Sequence, residues 1–239
     1  MHRYIPSLNL FFIPETGAEQ CHAFDAVIFD MDGLMVDTER LYIACNHDIA
    51  RRYGKSASEE LLRSMMGRVP LESMRIYCQA LGIGDNPAQV LAVREDLMEV
   101  RLRHELVPMP GLQEMLAHVS GRYPLAIATG SPLRFLNIVL DSLKLRHHFA
   151  ALQTSDGLSH GKPHPDIYLR AMEKLGIKGE RCLVLEDSPN GIKAGKAAGA
   201  YVLAVPNEHT RDGDLSAADE VVDDLHAARR HLMQLEALG

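Results

Sequence analysis

The segment Val27-Ile28-Phe29-Asp30-Met31-Asp32-Gly33 joins an uninterrupted apolar run to two aspartates that are one residue apart. A continuous apolar run is typical of a parallel strand that is covered on both faces. Open α/β sheets bind their ligands just beyond the carboxyl ends of such strands, where Asp30 and Asp32 stand. Residues i and i+2 of an extended chain project to the same side, so both carboxylates are predicted to face one small volume. A solvated turn is the alternative for this segment taken alone.

The remaining chain alternates between helical blocks and short apolar runs. Helices without any strand are predicted for residues 40–107, and Pro108-Met109-Pro110-Gly111 marks the exit from this block. Helices and short apolar strands then alternate, which is typical of a parallel sheet. The later strands are predicted at Leu125–Ala128, Ala151–Thr154, Cys182–Glu186 and Tyr201–Val205. Together with residues 26–29 they form an α/β fold of five parallel strands, interrupted after the first by a helical insert.

Two polar loops follow predicted strands and suit a phosphate group. Thr129-Gly130-Ser131 precedes a helix, and hydroxyls with free N–H groups at a helix N-terminus bind anions. A simple capping loop is the alternative. In Gly161-Lys162-Pro163-His164-Pro165 the prolines stiffen the loop around one lysine, which suits a point-charge contact to phosphate, or a solvated turn. We expect no metal at His160 and His164, because the prolines interrupt the helical spacing that would bring the imidazoles together.

A third loop adds carboxylates to the same edge of the predicted sheet. Glu186 and Asp187 end the apolar run that begins at Cys182. Crowded with Asp30 and Asp32, these acids would repel one another and raise each other's pKa values unless a cation lay among them. Hard divalent cations prefer such oxygen ligands, so the sequence predicts Mg²⁺ as the cofactor.

Composition excludes several classes of protein. The chain has 239 residues, 46% of them apolar, and a net charge of −7, which indicates a globular protein with one sizeable core and a smaller module. Without a dense Lys/Arg cluster, nucleic acid and anionic membranes are not expected partners. The scattered cysteines fit a reducing cytoplasm. The apolar run Leu10–Ile13 is too short to span a membrane, and residues 1–21 are predicted to be an N-terminal extension.

Four motifs in order resemble those of the haloacid dehalogenase superfamily of phosphohydrolases. They are Asp30-Met31-Asp32-Gly33, Thr129-Gly130-Ser131, Lys162-Pro163 and Glu186-Asp187. The resemblance extends over about residues 25–225 and is greatest to the subgroup with a helical cap after the first motif, which includes sugar-phosphate and nucleotide phosphatases and beta-phosphoglucomutase. It implies a Rossmann-like core of residues 22–39 plus 108–239 and an inserted α-helical cap of residues 40–107.

The resemblance also implies a role for each motif residue. Asp30 would attack phosphorus, and Asp32 would protonate the leaving oxygen and then activate water. The groups expected to hold the phosphoryl oxygens are Thr129, Gly130, Ser131 and Lys162. Mg²⁺ would be bound by the groups Asp30, Asp187 and the main-chain carbonyl of Asp32, with Glu186 in the outer shell. The expected protein is a cytoplasmic phosphatase of a small phosphorylated metabolite, and a monomer or a weak dimer.

Three other functions compete with this one. A phosphosugar mutase of the subgroup carries a histidine five residues after the aspartate of the Asp37-Thr38 pair, where this chain has Tyr42. A phosphonate hydrolase needs a cap lysine, and residues 40–107 contain only Lys55. A non-enzymatic binding protein should have lost one of the motif residues, which are all present. Arg68, after Gly67 at a break between cap helices, is the predicted cap contact to substrate.

Overall fold

A six-stranded, all-parallel sheet forms the centre of the molecule. The computed structural model describes residues 24–65 and 69–238. The strands are β1 (Ala26–Phe29), β2 (Leu125–Ala128), β3 (Ala151–Gln153), β4 (Cys182–Glu186), β5 (Tyr201–Ala204) and β6 (Glu220–Val221). Their order in the sheet is β3-β2-β1-β4-β5-β6. The predicted α/β fold class with a Rossmann-like parallel sheet is confirmed.

The described residues contain nine α-helices. They are α1 (Glu39–Arg52), α2 (Glu59–Met65), α3 (Pro70–Leu81), α4 (Pro87–His104), α5 (Leu112–Val119), α6 (Leu133–Ser142), α7 (Asp166–Leu175), α8 (Pro189–Ala197) and α9 (Leu225–Leu238). Short 3-10 helices occupy Arg146–His148 and Gly179–Arg181. The helices predicted in the insert and between the later strands are all present. Neither α9 nor β6 was predicted, and β6 has only two residues with exposed side chains, which leave no apolar pattern.

The central position of β1 explains its continuous apolar run. All four of its residues are buried, because side chains of successive strand residues point to opposite, covered faces. Val27 and Phe29 join an apolar cluster with residues of α5, α6 and α9, whereas Ile28 packs with residues of α7 and α8 on the other face. In the sheet register Phe29 pairs with Ile127 of β2 and with Leu185 of β4. The carboxyl ends of these three strands are therefore level.

Helices α1 to α4 lie between β1 and β2 in the chain and have an apolar cluster of their own. Its members include Ile49, Leu62, Met74, Tyr77 and Val90. Residues of α1 and α4 also reach into the cluster on the sheet. The division into a core and a cap at residues 40–107 stays a prediction, which the separate cluster supports.

Some predicted features concern residues outside the described part of the chain. These are the N-terminal extension of residues 1–21 and the cap contact Arg68. Cys45, Cys78 and Cys182 are buried and free. Among residues 24–65 and 69–238, no helix combines the length and the apolarity that a membrane crossing requires.

Candidate active site

The level strand ends bring the four predicted motifs together. Asp30 directly follows β1, Thr129 follows β2, and Glu186 ends β4, with Asp187 after it. The Asp30 N–H donates a hydrogen bond to the Leu185 carbonyl at 3.0 Å, which continues the pairing of β1 with β4 beyond the last residue of β1. The side chains of all four polar residues are buried. Because parallel strands align their carboxyl ends, groups that are far apart in sequence share one buried volume.

Lys162 forms the centre of this cluster. Its ammonium nitrogen lies 2.5 Å from Oδ1 of Asp30 and 2.5 Å from Oε1 of Glu186, and it donates to the Ala128 carbonyl at 3.2 Å. The lysine reaches the site from the loop before α7, as the stiff proline-flanked segment predicted. Although burial opposes its charge, the two carboxylates hold the pKa of Lys162 well above its usual value. The side chain is therefore an ammonium at neutral pH.

The Glu186 carboxylate is fixed by several donors besides Lys162. The Tyr168 hydroxyl donates to Oε1 at 2.9 Å, and the backbone N–H and the hydroxyl of Ser188 donate to Oε2 at 2.9 and 3.1 Å. Burial raises the pKa of Glu186, but the Lys162 charge and these hydrogen bonds outweigh it and lower the pKa below its usual value. Glu186 is thus an anion. It is fixed by Tyr168 and Ser188, and it holds the ammonium group of Lys162 in place. Tyr168 was not predicted as part of the site.

The second aspartate of the first motif pairs with the second motif. The Thr129 hydroxyl donates to Oδ2 of Asp32 at 2.7 Å and accepts a hydrogen bond from the Ser131 backbone N–H at 3.0 Å. Because a hydroxyl has one proton, Thr129 cannot donate to a phosphoryl oxygen while it makes this bond. The other oxygen of Asp32, Oδ1, is buried and has no hydrogen-bond partner within residues 24–65 and 69–238. Gly130 lies between Thr129 and Ser131 in the chain, and its carbonyl accepts a hydrogen bond from the Ser155 hydroxyl at 2.8 Å.

Asp187 is held by a residue that the sequence analysis missed. The Asn207 amide nitrogen donates to Oδ2 of Asp187 at 2.8 Å and to the carbonyl of Gly33 at 3.1 Å. A side chain at Gly33 would collide with both groups, and its φ of +80° also favours glycine. Asn207 follows the end of β5, so a search for polar residues after every predicted strand would have found it.

The site contains more buried carboxylates than cations. Burial raises the pKa of Asp30 and of Asp187 well above the usual range, and the neighbouring Glu186 adds to both shifts. Protein cations offset this only in part, through Lys162. This excess of buried carboxylate oxygens fits a hard divalent cation, which takes oxygen ligands. The residues predicted to hold Mg²⁺ therefore have the chemistry for it.

Side chains of α1 and α4 approach the cluster from the insert. Tyr42, from α1, is partly buried, and its pKa is raised by loss of solvation and by the nearby Asp32 carboxylate. Burial also raises the pKa of Glu39, and Asp32 adds to that shift. The Arg94 guanidinium of α4 lies over the Tyr42 ring, 5.3 Å from its centroid. Arg94 was not predicted as part of the site.

The imidazoles of His160 and His164, on either side of Lys162, lie close together, contrary to the prediction from the prolines. His160 and His164 stack with ring centroids 4.4 Å apart, and Asp166 lies within 3.4 Å of one ring and 2.8 Å of the other. One potential ligand atom of each of these three residues lies within 4.8 Å of the others. The prolines do prevent a helix there, but the turn they form brings the imidazoles together. The geometric reason for excluding a metal was therefore wrong.

Comparisons with known proteins identify one family to which this chain is similar. A family model for haloacid dehalogenase-like hydrolases matches residues 24–199. The phosphorylated carbohydrates phosphatase of Thermotoga maritima is 39% identical over 177 residues, which cover 73% of this chain and 82% of that protein. The mitochondrial (DL)-glycerol-3-phosphatase 1 of Arabidopsis thaliana is 32% identical over 213 residues, covering 83% of this chain and 70% of that protein.

A solved structure shows the same similarity in three dimensions. A Thermotoga maritima protein described as a candidate beta-phosphoglucomutase superposes with a TM-score of 0.76 and 34% sequence identity. The superposition covers 88% of this chain and 99% of that protein. The segment matched by the family model contains every one of the four motifs, from the end of β1 to the start of α8.

Proposed function

The chain belongs to the haloacid dehalogenase-like hydrolase family and is a phosphoric monoester hydrolase, and from this premise we propose that it acts on a phosphorylated sugar or polyol. The observation that carries the proposal is the buried cluster in which Lys162 joins Asp30 to Glu186 at 2.5 Å each. A carboxylate nucleophile and a fixed cation in one buried volume suit phosphoryl transfer, which depends mainly on positioning and charge neutralisation.

The proposed reaction uses two carboxylates in turn. A carboxylate oxygen of Asp30 attacks phosphorus and forms an aspartyl-phosphate, while Asp32 gives a proton to the leaving oxygen. Asp32 then removes a proton from the water that hydrolyses the intermediate. Thr129 orients Asp32 through its hydrogen bond to Oδ2, and the other oxygen is left for proton transfer. Lys162, Ser131 and the backbone of Gly130 remain the proposed contacts of the phosphoryl oxygens.

A magnesium ion fits the oxygen atoms of this cluster. The proposed ligands are the carboxylates of Asp30 and Asp187 and the main-chain carbonyl of Asp32. Glu186 is proposed for the outer shell of the ion. When bound, the ion neutralises negative charge on the transferring phosphoryl group and on the carboxylates around it. Asn207 orients Asp187 through the hydrogen bond at 2.8 Å.

The proposed substrate class is supported by the names of two relatives. They are named for phosphorylated carbohydrates and for glycerol 3-phosphate, both of which have oxygen-rich leaving groups. Phosphate release should be measured over sugar phosphates, polyol phosphates and nucleotides, with purified Asp30→Asn protein as the control. Release from sugar or polyol phosphates by the wild type alone supports the proposal. Equal release by Asp30→Asn protein contradicts it.

A mutase is the competing activity, since one solved relative is described as a candidate beta-phosphoglucomutase. Tyr42 stands at the position where mutases of the subgroup carry histidine, and a phenol, whose pKa is here raised further, cannot exchange a proton near pH 7 as an imidazole does. We therefore propose net hydrolysis. Beta-glucose 1-phosphate, Mg²⁺ and a catalytic amount of the 1,6-bisphosphate test this directly. Glucose 6-phosphate formed with little free phosphate would contradict hydrolysis.

We also propose that residues 40–107 act as a cap on a core of residues 22–39 and 108–239. One ion pair that joins the two units supports this: Glu95 of α4 pairs with Arg134 of α6 at 2.5 Å. Within the insert, Arg40 donates to the Glu105 carbonyl at 2.7 Å, which brings the two ends of the insert together. A cytoplasmic location and a monomer or weak dimer remain predictions from the sequence.

A further inference from the structure

Arg94 is a buried arginine whose charge has no counter-ion in contact. Its side chain lies on α4 and the residue is only 8% exposed. Across residues 24–65 and 69–238 the guanidinium makes no ion pair or hydrogen bond, and its Nε is fully buried without a partner. It lies over the Tyr42 ring, with 5.3 Å between the guanidinium carbon and the ring centroid.

Such an arrangement is unfavourable for folding alone. Burying a charge is costly unless it is paired and hydrogen-bonded, and a contact with one aromatic face offsets only part of that cost. The charge of Arg94 acts on the carboxyl of Glu39, but the two residues form no ion pair within the described chain. Among residues 24–65 and 69–238, the donors of Arg94 are therefore free to bind a ligand.

The surroundings of Arg94 place it on one side of the candidate active site. Tyr42, directly under the guanidinium, lies near enough to Asp32 for that carboxylate to raise the pKa of the Tyr42 phenol, after burial. The next residue, Glu95, pairs with Arg134 at the start of α6, three residues after Ser131 in sequence. Helix α4 is thus tied to the element that follows the second motif. Arg94 lies on the side of Asp32, the proposed proton donor to the leaving oxygen, and not among the contacts of Lys162.

We propose that Arg94 recognises the leaving group by donating hydrogen bonds to its oxygen atoms. The inference rests on the proposed function and restricts the proposed substrates to esters whose leaving group has oxygen atoms near the ester bond. A guanidinium offers a planar fork of donors that matches two neighbouring oxygens. Phosphate esters of sugars and polyols present such oxygens next to the ester bond, whereas a phenyl ester presents none. Arg94 sits on a rigid helix, so it defines this preference with less reorganisation than a loop residue.

The experiment compares two esters in two variants. The kcat/KM of the best sugar or polyol phosphate is divided by that of phenyl phosphate, for wild type, Arg94→Met and Arg103→Gln. Arg103 is the control, because it lies on the same helix in an exposed pair with Glu99. We expect the ratio to fall roughly 10- to 100-fold in Arg94→Met, the effect of losing hydrogen bonds to a charged donor. Arg103→Gln should keep the wild-type ratio.

Thermal unfolding without substrate separates recognition from structure. Methionine removes the unpaired buried charge and keeps an apolar chain of similar length, so the Tm of Arg94→Met should equal or exceed that of the wild type. An unchanged ratio of the two kcat/KM values, or a lowered Tm with equal losses on both esters, would overturn the assignment of Arg94. Failure of the wild type to release phosphate from any ester would instead contradict the proposed function.

Discussion

Lys162 and Glu186 form an ion pair with 2.5 Å between Nζ and Oε1, and Glu186 is completely shielded from solvent. The same ammonium is 2.5 Å from Oδ1 of Asp30. Glu186 therefore holds the lysine against the proposed nucleophile. The described hydrogen bonds of its carboxylate are with Lys162, Tyr168 and Ser188. Glu186 was predicted only in the outer shell of the metal ion, so positioning Lys162 is an additional role.

This relationship predicts the effect of replacing the glutamate by its amide. In Glu186→Gln, Lys162 loses one of two carboxylate partners and its position over Asp30 is less defined. We expect kcat to fall at least about 10-fold and the free energy of unfolding to fall by roughly 1–3 kcal/mol, the usual cost of losing a hydrogen bond to a charged group. Steady-state kinetics and urea unfolding measure both. Glu180→Gln, at an exposed position, is the control, and unchanged kcat in Glu186→Gln would contradict the role.

Gly191 tests the same carboxylate by steric means. A Cβ at Gly191 would overlap the carboxylate of Glu186, which is fixed by Lys162 and Ser188. Gly191→Ala should therefore lower the free energy of unfolding by about 1–3 kcal/mol, as overpacking does, and reduce kcat as well. Gly84→Ala is the matched control, because a methyl group there would meet nothing within 4 Å and the residue is exposed. Equal stability of the two variants would show that Glu186 moves freely.

Asp32→Asn separates proton transfer from the attack on phosphorus. An amide cannot protonate the leaving oxygen, so we expect a loss of about 10²- to 10⁴-fold in kcat/KM on a sugar phosphate. The loss in kcat/KM should be much smaller on p-nitrophenyl phosphate, whose leaving group departs without a proton, because kcat/KM does not include the later hydrolysis of the aspartyl-phosphate. Rates on both esters are compared with those of Asp30→Asn, which should lose both activities. Equal losses of Asp32→Asn on the two esters would argue against its role as general acid.

Removal of divalent metal should affect both activity and stability. An ion bound only by the folded state stabilises it by mass action, by about 2.7 kcal/mol at a hundred times its Kd. We expect a chelator to abolish phosphate release and Mg²⁺ to restore it and raise the Tm. Asp187→Asn should remove most of the Mg²⁺-dependent rise in Tm. A Tm that responds to Mg²⁺ equally in both proteins would place the ion elsewhere.

The pair between Asp48 and Arg101 predicts a pH-dependent contribution to stability. Arg101 of α4 donates to Oδ2 of Asp48 on α1 at 2.5 Å, and this hydrogen bond lowers the pKa of Asp48. A carboxyl with a depressed folded-state pKa stabilises the fold above its unfolded value and loses that contribution as the pH falls through the folded value. Asp48→Asn should cost about 1 kcal/mol at pH 7.

The measurement for Asp48 is urea unfolding over a range of pH. The difference between the wild type and Asp48→Asn should shrink as the pH falls below about 4, the usual pKa of an unfolded aspartate, and vanish below the folded-state pKa. Asp141→Asn removes an exposed pair with Arg146 and should cost little at any pH. A difference for Asp48→Asn that does not change with pH would refute this electrostatic explanation.

Local pattern was sufficient to predict five of the six strands of the sheet and the residues of the four motifs. A strand buried on both faces needs an unbroken apolar run, and a parallel sheet aligns the carboxyl ends of its strands. The predicted bounds of β2 and β4 agree with the structure, and those of β3 and β5 extend one residue too far. Asp30, Thr129, Lys162 and Glu186 could thus be assigned to one site from the residues that follow or flank predicted elements.

Only the tertiary structure decided which other side chains surround that site. Arg94 belongs to a helix whose sequence has weak apolar periodicity, so its burial depends on how α4 packs against α1 and α6. Asn207 lies 174 residues from Gly33 and meets it only because β5 is placed beside β4. The stacked histidines at 160 and 164 depend on the path of a proline turn. Helix and strand periodicity is a local property, whereas these contacts depend on the relative positions of distant segments, which packing determines.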